Sequence, residues 1–222
     1  MKKTIKAIIA SICIICLNIS CVTAVPLPGI QQFVGAQGIK QPSNSKWCVR
    51  ACTDVALSYL QVLQGNGTIG AGGGAIAPGV MAQAQRTGAP FDITMQFAQI
   101  GPTIGQFSNN NHQIICTRRA IVPNVHTIQQ AYADIYNALK AAQLQQMNQP
   151  IQGGQRPGIA ILHFAGDGYD HACITYGIDG TNSIEVHDPM PARSTFNVTR
   201  NALRYMVKGV PRNLSEYYLI QW

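Results

Sequence analysis

The chain is 222 residues long, 46% hydrophobic and only 11% charged, which excludes a disordered tail or a fibre and leaves ample length for the core of one folded domain. Its 21 glycines and 12 prolines form no collagen period and no Pro-rich linker. The net charge of +7 is spread in runs of no more than two basic residues, without the dense stripe and interleaved aromatics of a nucleic-acid binder.

Residues 1–24 have the three parts of a signal peptide. Lys2, Lys3 and Lys6 form a positive end, and Ala7 to Cys16 form an apolar stretch too short to span a bilayer. Val22-Thr23-Ala24 then places compact residues where a signal peptidase reads. Cleavage after Ala24 starts the mature chain at Val25-Pro26 and removes three lysines, so that 13 Lys+Arg face 9 Asp+Glu and the charge falls to +4. Lipid attachment at Cys21 is the alternative, opposed by Asn18, which stands where that signal wants an aliphatic residue. No later run reaches membrane-spanning length, so the expected product is secreted or periplasmic, without a membrane span.

After a Pro/Gln/Gly arm from Val25 to Lys40, a polar turn runs from Gln41 to Lys46. A helical period then opens, with Cys48, Cys52, Val55, Ala56, Tyr59, Leu60 and Leu63 on an apolar side. Ser43, Asn44 and Ser45 are its candidate caps, and Gly65-Asn66-Gly67 its stop. Gly65 through Gly79 reads as a glycine-rich loop, because no Gly-Lys-Ser/Thr follows that would make it a phosphate cradle. Val80 to Arg86 fits a short helix. Phe91 to Arg119 gives mixed signals, with Ile114 to Cys116 a candidate strand.

Thr127 to Met147 is a second long helix with Ile128, Ala131, Ile135, Leu139 and Ala142 on one side and Thr127 as cap. It frays into a Gln-rich connection, Gln143 to Gln155, which is the best lobe boundary. Beyond Pro157 the period becomes strand-like. Ile159–Phe164, His171–Tyr176, Ser183–His187 and a closing Leu214–Trp222 are separated by turn-forming Gly, Asp and Asn. Helices first and strands later predict an α+β class, with a helical lobe over about 41–150 and an antiparallel sheet lobe over about 157–222.

Four cysteines remain after residue 24: Cys48, Cys52, Cys116 and Cys173. Export permits disulfides, and the pairing is open. No Cys-x-x-Cys remains and no His pair has helical zinc spacing, so neither metal nor cofactor is expected. Cys48 lies in the first turn of its helix, where unpaired amides and the dipole favour a thiolate. Taken alone it fits a core thiol as well as a nucleophile. Cys52 reads as a core thiol or half of a disulfide with Cys116 or Cys173.

A thiolate nucleophile needs a base, and the base an orienting acceptor. Of five histidines, His171 opens a strand after a glycine turn, and Asp188 ends the next strand before Pro189. Alternation puts His187 and Asp188 on opposite faces, so only one lines a given cleft. His163 and His187 are decoys, and His112 and His126 are expected to be solvated.

Gln41 through Cys48 to Leu60, followed by Asp170-His171-Ala172 and Val186-His187-Asp188-Pro189, resembles the papain-like cysteine peptidases, in particular bacterial bacteriocin-processing and secreted effector peptidases. The resemblance implies Cys48 as nucleophile, His171 as imidazolium partner and general acid, Asp188 as the residue that holds the imidazole, and Gln41 as a donor to the oxyanion. Gln41 lies seven residues before Cys48, one more than the family's usual gap, so the loop absorbs a residue or Asn44 takes the role. Trp47 fits either a water shield or a core or interface residue. The implied activity is hydrolysis of a protein or peptide substrate. A transglutaminase or deamidase using the same three side chains, and an inactive secreted binding protein, are the competing expectations.

Overall fold

The helical period that opens at Cys48 becomes α1, Cys48–Leu63. The expected apolar side is buried from Cys48 to Leu60, though Leu63 at its end is exposed, and every other residue from Cys48 to Leu60 is buried too, including Arg50, Thr53, Asp54 and Ser58. A helix covered on all sides lies inside a domain rather than on its surface. Thr53 tolerates that interior by donating its hydroxyl back to the Val49 carbonyl at 2.8 Å.

The structure is a computed structural model and describes residues 25–27, 29–34, 39, 41, 46–63, 95–108, 114–151, 153–166, 169–180, 183–190, 195–207 and 210–222. The expected signal peptide, the caps Ser43, Asn44 and Ser45, the Gly65–Gly79 loop, the short helix Val80–Arg86 and His112 lie outside the described residues.

The stretch that gave mixed signals holds a 3-10 turn, Phe97–Gln99, then α2, Ile100–Ser108, and the strand β2, Ile115–Ala120. Gly101, Pro102 and Gly105 obscure the helix in sequence, since each is a poor helix former. Pro102 falls in the first turn, where its missing N–H is not needed, and a Cβ on Gly101 would lie 3.1 Å from the Tyr218 ring.

The third helix, α3, covers Ile128–Gln146. Thr127 caps it reciprocally: its hydroxyl accepts from the Gln130 amide at 3.3 Å, and its own amide donates to the Gln130 side chain at 2.7 Å. The expected fraying at the other end is corrected. Asn148 takes a positive φ of 53°, and the amides of Asn148 and Gln149 donate to the carbonyls of Gln145 and Leu144. That pattern closes a helix at a defined residue.

The remaining elements are strands: β1 Val25–Pro26, β3 Gly158–Gly166, β4 Tyr169–Asp179, β5 Ser183–His187, β6 Thr195–Thr199, β7 Arg204–Val207 and β8 Val210–Gln221. With β2 they form one antiparallel eight-stranded sheet in the order β2-β8-β3-β4-β5-β6, with β1 beside β4 and β7 beside β8. The class is therefore α+β. Three expected strands are the cores of β3, β4 and β5. The closing strand begins four residues before Leu214, because Pro211 sits in a hairpin with β7 where it is tolerated near a strand's start.

The sheet also draws β1 and β2 from before the expected sheet lobe, and Leu27, Ile30, Phe33 and Val34 of the arm are buried in the core. Helix α1 packs on β4, and α3 packs on β3 and β4. Gly158 permits β3 and β8 to approach, since a Cβ there would meet the Ile220 carbonyl oxygen at 2.7 Å. Cys48, Cys52, Cys116 and Cys173 are all free thiols. No helix among the described residues is long and apolar enough to cross a membrane.

Candidate active site

The first α-helical bond of α1 runs from the Ala51 amide to the Trp47 carbonyl at 2.8 Å, which makes Cys48 the first residue inside the helix. Its sulfur meets the positive end of the helix dipole. Trp47 is buried beside it, with the Arg50 guanidinium 5.7 Å from its ring centre. Across from this turn, β4 presents His171. The pairing of Ile174 with His187 carries one step further to set Asp188 opposite Cys173, two residues from His171.

Three side chains meet there. His171 Nε2 lies 2.9 Å from Asp188 Oδ1, and the same imidazole hydrogen-bonds the Cys48 thiol, for which Nδ1 is the remaining ring nitrogen. His171 and Asp188 are almost wholly buried, at 2% and 0% exposure, and Cys48 at 8%.

The electrostatics follow from that contact. Burial pulls the His171 pKa down, but hydrogen bonds to Asp188 and Cys48, and both their charges, raise it to about 9. Burial pushes the Cys48 thiol up, yet the His171 hydrogen bond and charge, with the Ala172 and Val49 amides, hold it below its ordinary value. Asp188 is likewise raised by burial and brought below the usual carboxylate range by His171, the Tyr205 hydroxyl and the Met190 amide. Each of these shifts favours the charged form, a thiolate, an imidazolium and a carboxylate in sequence. Cys52, one turn deeper, is driven well above the ordinary thiol range by burial and by the charges of Cys48, Asp188 and Asp54. It stays protonated, which separates two cysteines that share one helix face.

Gln41 is buried, and its backbone N–H donates to the Pro189 carbonyl at 2.9 Å. His187, expected as a decoy, is fully buried and pairs through Nε2 with the Ile39 carbonyl at 3.1 Å. Ile39 and Gln41 are thereby held along 187–189, next to Asp188. The expectation of a solvated His126 is corrected. Its Nε2 lies 2.9 Å from the Tyr217 hydroxyl, because the Val122–His126 bridge, turning at Asn124 with φ 64°, folds the loop back onto β8.

His171, Cys173 and Asp188 offer ligand atoms within 4.8 Å of one another, the one group among the described residues arranged so that it could hold a metal ion. Asp188 is already committed to His171 and the Met190 amide through Oδ1 and to the Tyr205 hydroxyl through Oδ2, so the cluster reads as a hydrogen-bond network with a thiol alongside. Sequence reasoning missed Tyr205 altogether, and Cys173 as a neighbour. Alternation along β4 could have found Cys173, two residues from His171 on the same face. Nothing local marks Tyr205.

No protein-family model matches the chain, and no curated protein does. Among solved structures, one similar to it is the peptidase domain of Streptococcus ComA, a bi-functional ABC transporter involved in a quorum sensing pathway. The identity is 9% and the TM-score 0.39, over 85% of this chain and 98% of that one. A likeness at that level assigns no residue a role in this chain.

Proposed function

We propose that the protein is a thiol peptidase of papain-like mechanism, with Cys48, His171 and Asp188 as its catalytic residues. The observation that carries this is the buried, unbroken chain from the Cys48 sulfur through the His171 ring to the Asp188 carboxylate, with the sulfur at the opening of α1. A thiolate is the nucleophilic form of cysteine, and an imidazolium is the acid a departing amine needs.

The Cys48 thiolate attacks a peptide carbonyl carbon to give a tetrahedral oxyanion. The oxyanion collapses, the C–N bond breaks, and His171 delivers its Nδ1 proton to the leaving amine. Water then attacks the thioester while the neutral His171 takes a proton, and the C–S bond breaks to release the acid and restore the thiolate. The Cys48 amide has no intrahelical acceptor and is available to the oxyanion, and the Gln41 side chain is the second donor in this proposal. Asp188 holds the imidazole so that Nδ1 addresses the sulfur.

Replacing Cys48 with Ala should abolish hydrolysis of labelled casein while the circular dichroism spectrum is unchanged, and an epoxide thiol inhibitor should label Cys48 in the parent. Ammonia release without new amino termini would instead assign deamidation or transglutamination. On the three-part composition of residues 1–24 we also propose export, with the mature chain starting at Val25. Amino-terminal sequencing of the exported protein tests that start.

A further inference from the structure

We propose that Tyr205 is a fourth member of the catalytic assembly, a positioning residue that fixes Asp188, and through it His171, from the carboxylate's far side. This rests on the peptidase reading and names a residue that it did not include. Tyr205 lies in β7, 17 residues beyond Asp188, and β7 reaches the site only because it folds back on β8.

The Tyr205 hydroxyl donates to Asp188 Oδ2, while Oδ1 accepts from His171 Nε2 and from the Met190 amide, both at 2.9 Å. A carboxylate held at one oxygen can swing about its Cα–Cβ–Cγ axis; held at both, it has one orientation. The ring of Tyr205 also faces the ring of His171, with centroids 4.9 Å apart. Phe164 and Phe196 flank the tyrosine at 5.6 and 5.2 Å, and the residue is 2% exposed. A single side chain thus buttresses both the imidazole and the carboxylate that orients it. The thiols of Cys173 and Cys52 also lie near Asp188, and burial with the charges of Cys48, Asp188 and Asp54 raises the Cys52 thiol well above its ordinary range.

The test is Tyr205→Phe, which removes the hydroxyl and keeps the ring. The expected result is a fall in kcat of about tenfold with KM within about twofold, the loss of one hydrogen bond to a charged group acting after substrate is bound. A second readout does not depend on hydrolysis. With aspartate labelled by 13C at the carboxyl and the Asp188 signal assigned from Asp188→Asn, Tyr205→Phe should move that carboxyl's titration to higher pH, since a donor to the charged form is lost. Introducing 3,5-difluorotyrosine at 205, a stronger donor of nearly the same shape, should move it to lower pH, and this variant covers the case in which Tyr205→Phe folds poorly. In an Asp188→Asn background, Tyr205→Phe should cost no further activity. Unchanged kcat and titration, or the same loss with Asp188 already replaced, would overturn the assignment. If the parent hydrolyses no peptide, the peptidase reading fails separately, and the carboxyl titration with the Cys48 alkylation rate still decides the role of Tyr205.

Discussion

The sheet carries two histidine–carboxylate pairs of almost equal length and very different character. His171 and Asp188 meet at 2.9 Å with side-chain exposures of 2% and 0%, whereas His163 and Glu216 meet at 3.1 Å with 14% and 15%. The second pair even has a hydroxyl, since Ser215 Oγ lies 3.4 Å from His163 Nδ1, so a search for Ser, His and Glu finds it. That hydroxyl, however, donates to the His163 carbonyl at 2.9 Å, and Glu216 is also held by the Arg118 guanidinium at 2.6 Å. That carboxylate is thus shared with a permanent cation and reached by water. A side-chain hydroxyl or thiol, a histidine and a carboxylate therefore make a half-buried brace in one place and a buried hydrogen-bonded chain in the other. Burial, a partner free of competing cations and a sulfur at a helix start make the difference.

The sharpest way to break this contrast is to remove each nucleophile in turn. Cys48→Ala should lower casein hydrolysis by about 10⁴-fold or more, as loss of a covalent nucleophile does, while Ser215→Ala should leave it within about twofold, since Ser215 only braces the strand. Equal losses would erase the distinction. The carboxylates come next. Asp188→Asn should cost about 10²-fold in kcat, the scale of a mispositioned acid–base group, with Glu216→Gln again near neutral in the same assay.

How far the sequence foretells this depends on the kind of signal each residue leaves. The place of Cys48 at a helix start was legible from a polar turn followed by a 3.6 period, and that of Asp188 from a strand pattern ending at Pro189, while their roles came only with the family resemblance. Thr127 announced itself as a cap by standing just before the second helical period. The all-round burial of α1 was not legible, since Arg50, Asp54 and Ser58 look like a solvated face until the sheet and the arm close over them. Nor was Tyr205, whose contact with Asp188 depends on where a hairpin folds in space rather than on any local period. His126 looked solvated for the same reason in reverse: its partners, Tyr217 and Asp134, lie 91 and 8 residues away in the chain and meet it only through β8 and α3.

Titration should sharpen the comparison further. Cys48 is held below the ordinary thiol value and His171 is raised to about 9, so each group favours the charged form of the other. Iodoacetamide should therefore alkylate Cys48 faster than an ordinary thiol at the same pH, while Cys52 stays unmodified in the folded protein. Hydrolysis should fall as pH rises through about 9, where His171 loses the proton it gives to the amine. Stability moves with the same groups. The raised His171 contributes fully below its unfolded pKa of about 6.5 and is lost as pH rises through about 9, and the depressed Asp188 contributes above its unfolded pKa and is lost as pH falls through its folded value. Melting temperatures of parent and His171→Ala should converge above pH 9. A Cys48 that alkylates no faster than Cys52 would sink the ion-pair description.

The smallest effect belongs to the exposed brace. Arg118 and Glu216 form a short ion pair, but Arg118 is 46% exposed, so water and salt screen its charge and ordering the long side chain costs entropy. Arg118→Ala should change unfolding free energy by under about 1 kcal/mol in low salt and by less at 1 M NaCl, with hydrolysis unaltered. A loss of several kcal/mol, insensitive to salt, would show that this edge of the sheet is held as tightly as the buried end, and that exposure is not what separates the two histidine pairs.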